Sequence, residues 1–140
     1  MSERVHFINK NNNPKNKKTG DCTIRAFMEI TDLPIEQIIQ ELTAIYLKTG
    51  WFIDDPRCYG KWLESKGYVK QKQPKHGDNT KYTADEFCEF LTQRRLKNPV
   101  IAHVGGHHIS VFVKLKGNGY TVQDIWDCTH KCVGNYWIKK

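Results

Sequence analysis

Cys22 stands in the segment TGDCTIRAF, and a second polar cluster lies much later in the chain, where GGHHISVFV carries His107 and His108 and VQDIWD carries Asp124 and Asp127. A thiol at the first turn of a helix meets unpaired backbone amides and the positive end of the helix dipole. Both stabilise the thiolate and make it a nucleophile. The same amides can bind the oxyanion that forms when a thiolate attacks a carbonyl. By position alone Cys22 would be a small buried side chain. The imidazoles and carboxylates downstream change that expectation. Thiol, histidine and carboxylate joined in space make an acyl-transferring cysteine enzyme, in which the histidine shuttles the proton and the carboxylate fixes the ring.

The elements that must position these groups follow from apolar spacing. Ile24, Phe27 and Met28 predict a short helix over about Cys22–Ile30, with Asp21 as a possible cap. Ile35, Ile38, Ile39, Leu42, Ile45 and Tyr46 repeat at helical spacing between Pro34 and Gly50. A third helix is expected over Pro56–Lys66, with Tyr59, Trp62 and Leu63 inward and Gly67 as its stop, and then a polar loop through Gly77. Thr83 and Glu86 form a capping-box pattern before Phe87, Phe90 and Leu91, in a fourth helix ending near Arg95. The last third reads as strands, PVIAHV, HHISVFVKL, YTVQDIWD and GNYWIK, with Gly117, Asn118 and Gly119 turning a tight hairpin. The expected fold is α+β, helices of the N-terminal half packed on a C-terminal antiparallel sheet.

Strand alternation sorts the candidates. His107 shares its face with Ile109, Val111 and Val113, which look like core, whereas His108 shares its face with Ser110 and Phe112. The pattern favours His108 over His107 as the partner of Cys22, without excluding either. Asp124 and Asp127 likewise project to opposite sides; Trp126 shares the face of Asp124, and a strand-end turn suits Asp127.

At these residues the chain resembles the papain-like cysteine peptidases, and within them short bacterial and phage-borne members with a GDC helix start, a strand histidine and a D-x-W-D end. The order Cys, His, Asp matches from about residue 16 to 138. The resemblance implies that Cys22 is the nucleophile, His108 the base and then acid, and Asp124 its orienting carboxylate. It further implies that Trp126 shields His108 and its carboxylate partner and that Asn16, six residues before Cys22, supplies an oxyanion amide; His107 is kept as a supporting residue. The chain is far shorter than papain, so peptide specificity is not carried over. The implied function is thiol hydrolysis of an amide or isopeptide bond in a protein or peptide substrate. Acyl transfer to an amine, as in transglutaminase-like relatives, would use the same triad. A binding module of the same fold with an unused site, engaging an acidic protein or nucleic acid, is the alternative from another class.

Composition sets the frame. One domain is expected from 140 residues, 22 Lys and Arg outnumber 15 Asp and Glu, and the net charge is +7. No apolar run is long enough to span a bilayer and the start lacks a secretory pattern, so a cytoplasmic protein with free thiols is expected. NKNNNPKNKKTG, with Lys10, Lys15, Lys17 and Lys18, reads as a flexible basic arm over about residues 1–18. Nucleic acid is a possible partner that no accompanying motif favours. Cys128, His130 and Cys132 look like half of a zinc site, but Cys58, Cys88 and His103 supply no second close pair, so no metal or other cofactor is expected. Cys58 and Cys88 read as core, while His6, His76 and His103 read as surface or satisfied histidines. Arg25, one turn after Cys22, could hold a carboxylate or a substrate, or equally form a structural ion pair with Glu29, four residues on.

Overall fold

The computed structural model describes residues 4–140. Four helices form where the apolar spacing places them: α1 Cys22–Ile30, α2 Ile35–Thr49, α3 Pro56–Ser65 and α4 Ala84–Gln93. Their ends have local causes. Gly50 closes α2 in the left-handed conformation, φ 80°, and donates its N–H to Tyr46 O. Asp55 caps α3 by accepting from the Arg57 amide, with Pro56 in the first turn. At α4 the Thr83 side chain accepts from the Glu86 amide while the Glu86 carboxylate accepts from the Thr83 amide, which completes the capping box.

Six strands follow the order β1-β5-β4-β3-β6-β2 in one sheet. They are β1 Phe7–Asn9, β2 Tyr68–Gln71, β3 Val100–Val104, β4 His108–Leu115, β5 Gly119–Asp124 and β6 Val133–Lys139. The chain is an α+β protein. Its sheet is mixed, because β1 pairs parallel with β5 while the other neighbours are antiparallel. Both β1 and β2 come from stretches expected as arm and loop. The supposed flexible arm instead contributes Phe7, packed against the core beside α4, and Lys10 is tied to Glu29 at 2.5 Å. Three residues, two of them apolar, are too short a run for period-2 alternation to register, so only the partner strand reveals β1. β2 is equally short, carries two exposed residues among its four, and takes its pairing from β6.

Alternation along the strands divides the core in two. Ile101, Ile109, Val111 and Trp137 face α1, α2 and α3, where Phe27 stacks on Trp62 with ring centroids 4.3 Å apart. Val100, Ala102, Phe112, Val122 and Tyr136 face α4 on the other side. The helices thus lie on both faces of the sheet, and α4 covers the face opposite to α1–α3. On α1, Phe27 is fully buried as expected, but Arg25 is buried as well. Among the described residues, no helix is long and apolar enough to cross a membrane.

Candidate active site

Three element ends converge at one point. Cys22 is the first residue of α1, His108 the first of β4 and Asp124 the last of β5. The pairing of Val111 with Gln123 and Phe112 with Val122 brings the start of β4 against the end of β5, and His108 Nε2 lies 2.5 Å from Asp124 Oδ2. The other side of the imidazole hydrogen-bonds the Cys22 thiol, which also accepts from the Ile109 amide. His107, in the turn before β4, is exposed. Asp127 accepts from the Thr129 amide and hydroxyl, closing a turn after the strand.

The electrostatics follow from burial set against hydrogen bonding. Burial opposes ionisation of Cys22, but the bonds from His108 and the Ile109 amide, with the histidine's charge, hold the thiol below its ordinary value. Burial alone would lower His108; its bonds to Asp124 and Cys22 and their negative charges push it up to about 9. Burial would raise Asp124, and the bonds from His108, Ser110 and the Ile125 amide keep it below the usual carboxylate range. All three shifts favour the charged forms: thiolate, imidazolium and carboxylate.

The carboxylate is fixed from every side. Asp124 is 2% exposed; Ser110 Oγ donates to Oδ2, and Oδ1 receives the Ile125 amide at 2.7 Å and Arg25 Nη1 at 3.1 Å. Arg25 also donates through Nε to Asp21 Oδ1 at 2.7 Å, so one guanidinium bridges the residue before Cys22 to the carboxylate behind His108. Of the two uses open to Arg25 it takes the first, holding a carboxylate, while Glu29 pairs with Lys10. The reason is spacing: one turn after Cys22, Arg25 faces the sheet, where a buried carboxylate waits. Asp21 makes no side-chain cap bond, because its carboxylate is held by Arg25 and Asn13. The first-turn amides of α1 therefore lack a side-chain cap.

The asparagine loop takes a different part from the one expected. Asn16 is exposed in a left-handed conformation, φ 54°, and its hydrogen bonds run to Asn11 and Asn13. The amide side chains that support the site are its neighbours: Asn12 donates to Arg25 O and Asn13 to Asp21 Oδ2. Lys10 donates its amide to Asp124 O. Behind Cys22 a cavity of about 10 Å³, bordered by Asn12, Arg25, Ser110 and Gln123, has room for one water-sized molecule. Trp126 lies over the histidine, ring centroids 5.2 Å apart, and remains 38% exposed.

One further pair adjoins the thiol. Tyr59 on α3 has its hydroxyl 2.5 Å from His103 Nε2. Burial raises the phenol and the Cys22 charge raises it further, while burial lowers His103, helped by Lys70 and His107. The pair is thus an un-ionised phenol against a neutral imidazole. Gly134 makes room for His103: a Cβ there would stand 3.2 Å from the His103 Cβ. No local pattern announces this pair, since it is the register of His103 opposite Ile109 that brings it to Cys22. Ser110 and Arg25 were more visible, the first on the face of His108 and the second one turn from Cys22.

Among the described residues, no group of three or more His, Cys, Asp and Glu side chains could hold a metal ion. Cys128 is buried with its thiol 3.8 Å from Ser110 Oγ, while Cys132 is exposed. No family model matches the chain, and no curated protein or solved structure matches it either.

Proposed function

We propose that the chain is a papain-like thiol hydrolase that cleaves an amide or isopeptide bond through Cys22, His108 and Asp124. The observation that carries this is the imidazole of His108 held between a buried carboxylate, 2.5 Å away, and a thiol at the head of a helix. The thiolate adds to the carbonyl carbon, and the oxyanion is met by the amides of the first turn of α1, which Asp21 leaves uncapped. The imidazolium of His108 protonates the departing amine as the carbon–nitrogen bond breaks, leaving a thioester on Cys22. Neutral His108 then takes a proton from water, whose oxygen attacks the thioester, and the carboxylic acid leaves as the thiolate re-forms. Asp124 stays ionised throughout and fixes which ring nitrogen faces the sulfur.

The first test needs no substrate. Iodoacetamide should alkylate Cys22 at pH 6–7, ahead of the exposed Cys132, with site-resolved mass spectrometry as the readout. His108→Gln should return Cys22 to the ordinary thiol range of ~8.5. Cys22 reacting only in that range in the unaltered protein would sink the assignment. Screening a library of peptide amides for amine release then identifies turnover, which Cys22→Ala should abolish.

A further inference from the structure

We propose that the groove between α3 and β2 binds an acidic stretch of the polypeptide substrate, more than about five residues from the bond attacked by Cys22; this rests on the hydrolase assignment above. The groove encloses about 370 Å³ and is lined by Trp51, Arg57, Lys61, Glu64, Lys70 and Trp137. Arg57 is matched by Asp55, and Lys61 and Lys70 against Glu64 carry the excess positive charge. Arg57 is held in a fixed pose, its guanidinium 3.3 Å from the centroid of the Trp51 ring and its Nε and Nη2 bonded to Asp55 at 2.9 and 2.8 Å. Lys61 and Lys70 approach from the helix and strand sides, and neither makes an ion pair among the described residues. Trp51 keeps 41% of its surface exposed, a large indole left open beside fixed positive charge.

A buried aromatic cluster lies between this groove and the thiol. The Trp137 ring on its floor lies 5.8 Å from the Tyr59 ring and 5.8 Å from that of His103, centroid to centroid. Tyr59 and His103 adjoin Cys22, whose sulfur is held by the Ile109 amide. Across the sheet, Ile109 pairs with His103, Ile101 with Trp137, and Trp137 with Lys70. Three strand spacings of about 4.8 Å, with an offset of two residues along the strand, amount to roughly 16 Å straight through that cluster, so a chain following the surface needs more than about five extended residues. A polypeptide suits the whole path better than a nucleic acid, because the thiol requires an acyl carbon that a phosphodiester lacks.

The test uses the full chain carrying Cys22→Ala, so that nothing is turned over. Tryptophan emission is followed while hexaglutamate, hexaglutamine or hexathymidylate is added, with circular dichroism verifying the fold of each variant. Hexaglutamate should bind saturably and change the emission, hexaglutamine should not, and Lys61→Glu with Lys70→Glu should weaken hexaglutamate about tenfold or more. Equal binding of the two peptides, no effect of the charge reversals, or tighter binding of hexathymidylate than of hexaglutamate would each overturn the proposal. These readings do not depend on Cys22 reactivity, so a groove that fails and a thiol that proves ordinary are told apart.

Discussion

At the scale of single residues, the decisive feature is that His108 meets two anions. Each favours its charged form, and together they lift it to about 9 against the cost of burial. Asp124→Asn removes one of them and the fixed acceptor for the ring. The alkaline limit of the proposed activity should then fall from about 9 toward the unperturbed ~6.5. The rate should drop by about 10²–10⁴ even at the new optimum, since an unoriented ring presents the wrong nitrogen. A pH–rate profile measured on a substrate from the peptide-amide screen checks both. An unchanged alkaline limit would mean that Asp124 does not set the histidine's charge. His108 was legible in the sequence because its strand partners Ser110 and Phe112 differ from the apolar set on the face of Ile109. Asn16 shows the opposite case: its offset before Cys22 was right for an oxyanion amide, yet an asparagine-rich loop can aim several neighbouring amides, and the fold uses Asn12 and Asn13 to brace α1.

At the scale of elements, helix ends and tight turns hold the strands in register. Gly119, where β5 begins, has φ 103°, and a Cβ there would lie 2.7 Å from Thr92 Oγ1. That hydroxyl accepts from the Tyr120 amide and donates to Cys88 O, fastening the hairpin to α4. Gly119→Ala should therefore cost about 2–4 kcal/mol, from the positive dihedral and the clash together. Thr83→Ala removes only one half of a capping box and should cost about 1 kcal/mol. Urea unfolding of the two variants compares them directly, and equal losses would show that the hairpin does not depend on the missing side chain. The helices were readable because each carries a long apolar repeat between recognisable ends. β1 and β2 were not, because three or four residues acquire strand identity only from a neighbour.

At the scale of the whole molecule, buried charge joins distant parts of the chain. Arg25 is 7% exposed and serves two carboxylates, Asp21 and Asp124. Arg25→Leu leaves Asp124 buried with one cation fewer, and should cost about 3–5 kcal/mol in urea unfolding. A loss below 1 kcal/mol would show that the bridge contributes little. His6, next to β1, contacts Asp85 and Glu89 on α4; burial lowers its pKa, but these carboxylates raise it above the ordinary value. Its contribution to stability is thus fully present below ~6.5 and is lost as pH climbs through the raised folded-state value. The difference between urea midpoints at pH 5.5 and 8.5 should shrink in His6→Gln; an unchanged difference would place that pH dependence elsewhere.

By itself the sequence determined the helices, the four C-terminal strands, the α+β class and the facts of face: which histidine shares a side with Ser110, and which acid with Trp126. Those are local matters, fixed by side-chain periodicity and by the chemistry of turns. Only the tertiary structure decided that a basic, asparagine-rich segment enters the sheet, that Arg25 turns inward to Asp124, and that Tyr59 and His103 stand beside the thiol. Each of these depends on register between residues far apart in the chain, and a buried charge selects its partner from whatever packing brings within reach.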